Sequence, residues 1–170
     1  MKRVTIIGLT GSGKTTFARQ LSLRMNVPYL QIDELWFGAG GDKLGHGDGQ
    51  GKDRVREAIR KKVVEFIQQD AWVSDGFYSR VQPIIATRAD VLIYLDIPLR
   101  KRLANLSLRI FQKQRHHGLK RRDDVKHLMR VFRTKSKMKT RINHLVKQHP
   151  DKLVVLRSRK AIQAYLVTAI

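Results

Sequence analysis

Residues 8–15 read Gly-Leu-Thr-Gly-Ser-Gly-Lys-Thr, and this segment constrains the fold more than any other part of the chain. The pattern is Gly-x4-Gly-Lys-Thr, preceded by an apolar run at 3–7 and followed by Phe17, Leu21 and Met25 at helical spacing. Glycines let consecutive backbone N–H groups turn toward a phosphate, and the following helix adds the positive end of its dipole. The segment therefore predicts a phosphate-binding loop between a buried strand and a helix.

Individual residues of this loop carry predicted roles in binding ATP and Mg²⁺, the two cofactors that the motif implies. We expect Lys14 to reach the β- and γ-phosphates and the Thr15 hydroxyl to ligate Mg²⁺. The alternative, a glycine-rich turn that happens to contain a lysine, is disfavoured by the strand before it and the helix after it. The predicted ATP-contacting residues of the loop are Gly8, Gly11, Ser12, Gly13, Lys14, Thr15 and Thr16.

Short apolar runs alternate with longer helical patterns along the chain. The predicted strands are 3–7, 29–32, 71–74, 90–95 and 153–156. The predicted helices are 14–25, 53–69, one opening at Pro98, one capped by Asp123 or Asp124, and 161–167. Five strands separated by helices indicate an α/β fold with a parallel sheet covered on both faces. We expect a single domain over residues 1–170.

A glycine-rich stretch interrupts this alternation between residues 38 and 51. It contains seven glycines, at positions 38, 40, 41, 45, 47, 49 and 51. Glycine at this density disfavours both helix and strand, so the sequence predicts a mobile loop over the whole stretch.

Three aspartates follow predicted strands and are candidates for chemistry at the carboxyl edge of the sheet, where ligands bind in open α/β folds. Asp75 precedes Gly76, which would let a ligand approach the backbone, so we prefer Asp75 as the Mg²⁺ carboxylate. Asp96 is the second candidate, but it lies just before Pro98 and reads better as a helix N-cap. Asp33 could accept a proton from an acceptor hydroxyl, or could simply form a turn.

The charge of the chain is uneven. Lys and Arg number 35 against 14 Asp and Glu, a net charge of +21. Residues 1–96 carry 14 basic and 11 acidic side chains, net +3, whereas residues 97–170 carry 21 and 3, net +18. Such a field attracts phosphate, on a nucleotide or on a nucleic acid, although a well-solvated basic surface would have the same composition.

The remaining composition excludes several classes of protein. Hydrophobic residues make up 42% of the chain, but no apolar run approaches the roughly 18 residues needed to cross a membrane. Cysteine is absent, which excludes disulfides and thiolate metal sites. We expect a cytoplasmic protein with no membrane partner, and a monomer.

Two further segments, together with the phosphate loop, resemble the small P-loop kinases. They are Trp-Val-Ser-Asp-Gly-Phe at 72–77 and Arg-Ala-Asp-Val-Leu-Ile-Tyr-Leu-Asp-Ile-Pro at 88–98. The nearer likeness is to the adenylate-kinase-like DNA topology modulation proteins, which share the segment from Trp72 to Tyr78 and a Leu-Asp before a tryptophan-containing loop, here 32–36. The resemblance implies the P-loop nucleoside-triphosphate hydrolase fold with strand order 2-3-1-4-5. It also implies an acceptor-binding region at about 33–70 and a basic helical lid at about 110–125.

The resemblance also implies roles for arginines in the C-terminal half. The family carries two arginines on the helix after the proline, at positions that are Asn105 and Arg109 here. Arg109 keeps the phosphate-clamping role, while the base-covering role is vacant or moves to Arg102. Arg159 is implied to lie near the adenine. The candidate lid arginines are Arg115, Arg121 and Arg122, and His116 and His117 read as lid surface rather than metal ligands.

Two functions follow as hypotheses. The first is ATP- and Mg²⁺-dependent phosphoryl transfer to a small acceptor, a nucleotide or a nucleoside, with Lys14, Arg109 and Asp33 as catalytic residues. The second is a P-loop ATPase that binds nucleic acid through its basic C-terminal half, although the chain contains no recognisable reading module. Both hypotheses are correct if the acceptor is the end of a polynucleotide.

Overall fold

The structure, a computed structural model, describes residues 2–41, 48–117 and 136–168. The strands are β1 (Arg3–Gly8), β2 (Tyr29–Gln31), β3 (Trp72–Asp75), β4 (Val91–Leu95) and β5 (Leu153–Leu156). The helices are α1 (Lys14–Met25), α2 (Ile32–Gly38), α3 (Gly49–Phe66), α4 (Gln82–Arg88), α5 (Leu99–His117), α6 (residues 136–148) and α7 (Arg159–Thr168). A 3-10 turn, Pro150–Lys152, leads into β5.

The five strands form one parallel sheet in the order β2-β3-β1-β4-β5, as the resemblance implied. The central strand β1 pairs with β3 on one side and with β4 on the other. Because all strands run the same way, their carboxyl ends lie at one edge of the sheet, together with the loop that follows β1. The predicted α/β P-loop architecture is confirmed.

Side chains of β1 alternate between two apolar layers, which is why both faces of the sheet are covered. Val4 and Ile6 pack with Phe17 and Leu21 of α1 and with α7. Ile7 points to the opposite layer, which contains Ile142 and Leu145 of α6. A third cluster joins α2, α3 and α4 around the buried Trp72. No helix in the described part of the chain is long and apolar enough to span a membrane.

Two short helices were not predicted from the sequence. The second strand was expected to continue through Ile32, but it ends at Gln31, and Ile32 begins α2. Asp33 and Glu34 lie in the first turn of that helix, where negative charge complements the helix dipole. Helix α4 has only seven residues, with Pro83 in its first turn, so it is too short to show helical periodicity.

The prediction that the glycine-rich stretch is wholly loop was wrong at both ends. Gly38 is the last residue of α2, and Gly49 and Gly51 lie in the first turn of α3. The cause is Asp48, whose carboxylate accepts a hydrogen bond from the Gly51 amide at 2.7 Å and so caps α3. Residues 42–47 lie outside the described residues.

The preferred interpretation of Asp96 as a helix cap was also wrong. The amides of Lys101 and Arg102 both donate to the Pro98 carbonyl, so α5 begins too late for Asp96 to cap it. Asp96 instead accepts a hydrogen bond from Tyr94 Oη at 3.2 Å and lies 3.7 Å from Arg157 Nε.

The predicted lid at 110–125 is only partly described. Its first residues continue α5 as a regular helix to His117. The rest of the lid, with Arg121 and Arg122, and the proposed caps Asp123 and Asp124 lie beyond the described ranges.

Candidate active site

The phosphate loop has the backbone that its glycines predict. Gly11 and Gly13 adopt φ values of 82° and 88°, a left-handed conformation that other residues adopt only with strain. Gly13 is the N-cap of α1, and the helix proper begins at Lys14. The first amides of a helix have no partner within the helix, so the loop presents N–H groups beside the lysine. This arrangement suits an anion such as a polyphosphate.

Helix α5 packs against the phosphate loop and donates two hydrogen bonds to it. Arg102, which is 3% exposed, donates from Nε to the Thr10 carbonyl at 2.9 Å. Asn105 donates from Nδ2 to the Gly11 carbonyl at 2.8 Å. A Cβ at Gly11 would lie 2.7 Å from the Arg102 carbonyl oxygen and 3.0 Å from Leu106 Cγ. The loop and α5 therefore touch so closely that only glycine fits at position 11.

This contact changes the interpretation of two residues. A guanidinium as buried as that of Arg102 cannot lie over a nucleotide base, so the base-covering alternative does not fit. Asn105, where the resemblance implies an arginine, instead holds the loop through the Gly11 carbonyl.

Thr15 and Asp75 meet at the carboxyl edge of the sheet, as predicted for a Mg²⁺ site. Thr15 Oγ1 donates to Asp75 Oδ2 at 2.8 Å, and Tyr29 Oη donates to Asp75 Oδ1 at 2.5 Å. Asp75 ends β3 and is 1% exposed. A hydroxyl and a carboxylate together suit Mg²⁺, which takes few protein oxygens and completes its octahedron with phosphate and water. These residues therefore fit the metal that a phosphate loop implies.

Lys14 and Asp33 complete a charged cluster around Asp75. Burial lowers the pKa of the Lys14 ammonium, although Asp33 and Asp75 both oppose this effect and Arg102 adds to it. Loss of contact with water raises the pKa of the Asp33 carboxyl group. The positive charge of Lys14 opposes this shift, and the negative charge of Asp75 adds to it. Asp33 still keeps exposed surface. A cation and two carboxylates thus interact at the mouth of the loop.

Glycine at position 76 makes room for Asp33 beside the end of β3. Its φ is 114°, and a Cβ there would lie 3.1 Å from Ile32 Cβ and 3.3 Å from Asp33 Oδ1. The close approach expected of backbone at Gly76 is therefore made by the first turn of α2.

The other predicted residues are distributed as follows. Gly8 ends β1, and Ser12 is buried with an Oγ that has no hydrogen-bond partner among the described residues. Thr16 is exposed on α1, and Arg159 is exposed at the start of α7, directly after β5 at the same edge of the sheet. Arg109 lies on α5, but its side chain, like that of Arg115, is outside the described part of the structure. The clamping and lid roles remain predictions.

Sequence reasoning missed Tyr29 altogether, and it missed the contact that Asn105 makes with the phosphate loop. Tyr29 lies in a three-residue strand, and Asn105 contacts a carbonyl that is 94 residues away in the chain. Tyr29 belongs to no motif, and Asn105 was noted only as standing where the resemblance implies an arginine. Only the three-dimensional fold brings each of them to its partner, so no local signal in the sequence identifies them.

Comparison with known proteins finds similarity to shikimate kinases. No protein-family model matches the chain. A segment of 74 residues is 30% identical to the shikimate kinase of Sulfurihydrogenibium sp. (strain YO3AOP1) and covers 43% of this chain. The match spans 45% of that relative, less than half of its length.

Solved structures extend the similarity to the whole fold. The shikimate kinase of Bacteroides thetaiotaomicron superposes with a TM-score of 0.59 at 15% identity, covering 99% of this chain and 96% of that one. The enzyme of Acinetobacter baumannii, in complex with shikimate, gives 0.57 at 14% identity, with 99% and 94% covered. That of Aquifex aeolicus gives 0.55 at 16% identity, with 98% and 95% covered. The chain therefore has the P-loop kinase fold that is seen in the shikimate kinases.

Proposed function

We propose that this protein is an ATP- and Mg²⁺-dependent kinase that transfers the γ-phosphoryl group of ATP to a hydroxyl of a small acceptor. The observation that carries the proposal is the cluster of Lys14, Asp33 and Asp75 at the mouth of the phosphate loop. An ATPase needs Lys14 and Asp75. A carboxylate in the position of Asp33 is what transfer to a hydroxyl acceptor additionally requires.

Each residue has a separate task in this proposal. The loop amides and Lys14 bind the phosphates and neutralise the charge that develops on them. Thr15 and Asp75 would hold Mg²⁺, which supplies further charge neutralisation when bound. Asp33 accepts the proton of the acceptor hydroxyl, and Arg109 contributes positive charge from α5. Arg159, at the same edge of the sheet, is assigned to the adenine end of ATP.

The presence of a base favours a hydroxyl acceptor over a phosphate acceptor. A nucleoside or a cyclic polyol must lose a proton on transfer, whereas the phosphate of a nucleoside monophosphate is already ionised at neutral pH. Among the acceptors that the sequence suggested, nucleosides therefore rank above nucleotides. Shikimate, which the Acinetobacter enzyme binds in its crystal structure, is a hydroxylated acid and ranks with them. We also propose that the chain is one of the DNA topology modulation proteins, which residues 72–78 resemble.

The test is ADP release from MgATP in the presence of single acceptors: nucleosides, nucleoside monophosphates, shikimate and other cyclic polyols. We expect one hydroxyl acceptor to stimulate release at least tenfold, Lys14→Ala to abolish release, and Asp33→Asn to remove the stimulation while MgATP still binds. Asp70→Asn is the matched control, because Asp70 is exposed just before β3, at the opposite edge of the sheet. If the acceptor still stimulates ADP release by Asp33→Asn, Asp33 is not the base.

The basic C-terminal half supports a second candidate, an ATPase coupled to nucleic acid. Exposed cations on α6 include Lys137, Lys139, Arg141 and Lys147, and residues 136–148 contain no acidic side chain. Binding through several phosphates would weaken steeply between 50 and 200 mM salt, by about a thousandfold for six contacts. ADP release that DNA stimulates, that no small acceptor stimulates, and that falls with salt in this way would favour the second candidate.

A further inference from the structure

Tyr29 contacts the predicted metal-binding carboxylate from the side opposite the phosphate loop. Strand β2 lies next to β3, and the Tyr29 hydroxyl donates to Asp75 Oδ1 at 2.5 Å. The other oxygen, Oδ2, accepts from Thr15 Oγ1 at 2.8 Å. Because Asp75 is almost completely buried, these two donors determine how its carboxylate plane is oriented.

We propose that Tyr29 is a positioning residue for the metal site and holds Asp75 in the orientation that directs one carboxylate oxygen to Thr15 and the phosphate loop. A carboxylate with a donor on each oxygen cannot turn about its Cβ–Cγ bond without losing a hydrogen bond. Without Tyr29, Thr15 would be the one hydrogen-bond donor left to Asp75 among the described residues. The proposal rests on the proposed function, since it assumes that Thr15 and Asp75 hold Mg²⁺.

Asp75 is the nearer of two acceptors for the Tyr29 hydroxyl hydrogen. Gln31 Oε1 lies 3.4 Å from the Tyr29 hydroxyl, a longer contact than the one to Asp75. Arg19 Nη2 donates to the same Gln31 oxygen at 3.2 Å, and the Arg19 guanidinium lies 6.0 Å from the centre of the tyrosine ring. The ring is therefore covered on one side by Arg19 while its single hydroxyl hydrogen is used by the carboxylate.

A second tyrosine–carboxylate pair in the same sheet provides a matched control. Tyr94 donates to Asp96 at 3.2 Å, and Asp96, like Asp75, lies at the carboxyl end of its strand. Asp96 is 42% exposed and lies 3.7 Å from the Arg157 guanidinium, whose charge competes with a bound cation. Substituting each tyrosine by phenylalanine removes one hydroxyl and leaves the ring in place.

The experiment measures the affinity for a fluorescent ATP analogue, mant-ATP, with MgCl₂ and with EDTA. The ratio of the two dissociation constants gives the gain in affinity due to Mg²⁺. We expect Tyr29→Phe to lower this gain about tenfold with the affinity in EDTA close to wild type, and to lower the urea midpoint because the buried Asp75 carboxylate loses a donor. Tyr94→Phe should leave the gain unchanged. An unchanged gain in Tyr29→Phe, or equal losses with and without Mg²⁺, would overturn the proposal.

A double-mutant cycle tests whether Tyr29 acts through Asp75. In an Asp75→Asn background, Tyr29→Phe should cause no further loss of the Mg²⁺ gain; losses that multiply would mean that Tyr29 acts elsewhere. If Tyr94→Phe, rather than Tyr29→Phe, lowers the gain, the metal carboxylate is Asp96 and the proposal fails. Failure of the wild type to bind mant-ATP at all would overturn the proposed function, and this inference with it. Binding by the wild type with a gain that Tyr29→Phe retains overturns the inference alone.

Discussion

Gly11 and Gly13 form a matched pair that tests how the phosphate loop is supported. Both have left-handed backbone, so alanine at either position carries about 1–2 kcal/mol of strain, partly offset by about 0.4–1 kcal/mol from a less flexible unfolded chain. These terms are common to the two substitutions. The difference between them is the space that a Cβ would occupy: at Gly13 it meets nothing within 4 Å, whereas at Gly11 it meets α5 at 2.7 Å.

The contact at Gly11 is with a backbone carbonyl, that of Arg102, which cannot move aside as a flexible side chain could. Overpacking of this kind costs about 1–3 kcal/mol, and displacement of the loop would also break the hydrogen bonds from Arg102 and Asn105. We therefore expect Gly11→Ala to lower the free energy of unfolding by about 1–3 kcal/mol more than Gly13→Ala does.

Urea unfolding of the wild type and the two variants, followed by circular dichroism and analysed as two-state, measures this difference. The slope m should be the same in all three proteins, so that the midpoints report stability. If the free energies of unfolding of Gly11→Ala and Gly13→Ala agree within about 0.5 kcal/mol, the direct contact between the loop and α5 does not contribute the expected difference in stability.

Two further predictions concern hydrogen bonds that join distant parts of the chain. Burial would raise the pKa of Asp90, but hydrogen bonds from the Arg3 side chain and from the Arg3 and Lys2 amides lower it from 3.8 to about 2. A lowered folded-state pKa adds stability above about pH 4 that is lost as the pH falls toward 2. Asp90→Ala should therefore be less stable than wild type by about 1–2 kcal/mol at pH 6, allowing for the 30% exposure of the side chain, and the gap should close by pH 2 in urea unfolding. An equal gap at both pH values would contradict this. Asn105→Ala should destabilise by about 1 kcal/mol and weaken mant-ATP binding, because the Gly11 carbonyl loses its donor; full nucleotide affinity in this variant would show that the loop needs no support from α5.

The framework of the fold could be predicted because its signals are local. An apolar run followed by the glycine-lysine motif identified β1, the loop and α1, and residues 153–156 are β5 in both the prediction and the structure. The strand order was not contained in these patterns and came from the resemblance to small kinases. Helices α2 and α4, of seven residues each, were missed because they form under the tertiary contacts of the cluster around Trp72.

The sequence predicts only those site residues that belong to a motif or lie at the end of a strand. Lys14, Thr15 and Asp75 were found this way, since parallel strands bring their carboxyl ends to one edge. The partners of these residues were not found, because Tyr29 and Asn105 act through contacts between distant segments. Asp75, preferred over Asp96 as the metal carboxylate, lies next to Thr15, and its role in binding Mg²⁺ stays a prediction. The capping role given to Asp96 ignored that α5 begins after Pro98.

Transfer of the γ-phosphoryl group to a small acceptor can be observed by following the label from [γ-³²P]ATP. Products are separated into inorganic phosphate and phosphate esters after incubation with the acceptor that stimulates ADP release. Most of the label should appear in an ester of that acceptor, and Asp33→Asn should lose the ester while Asp70→Asn forms it at the wild-type rate. Label found only in inorganic phosphate, with every small acceptor and in both variants, would rule out transfer to a small acceptor and identify the protein as an ATPase.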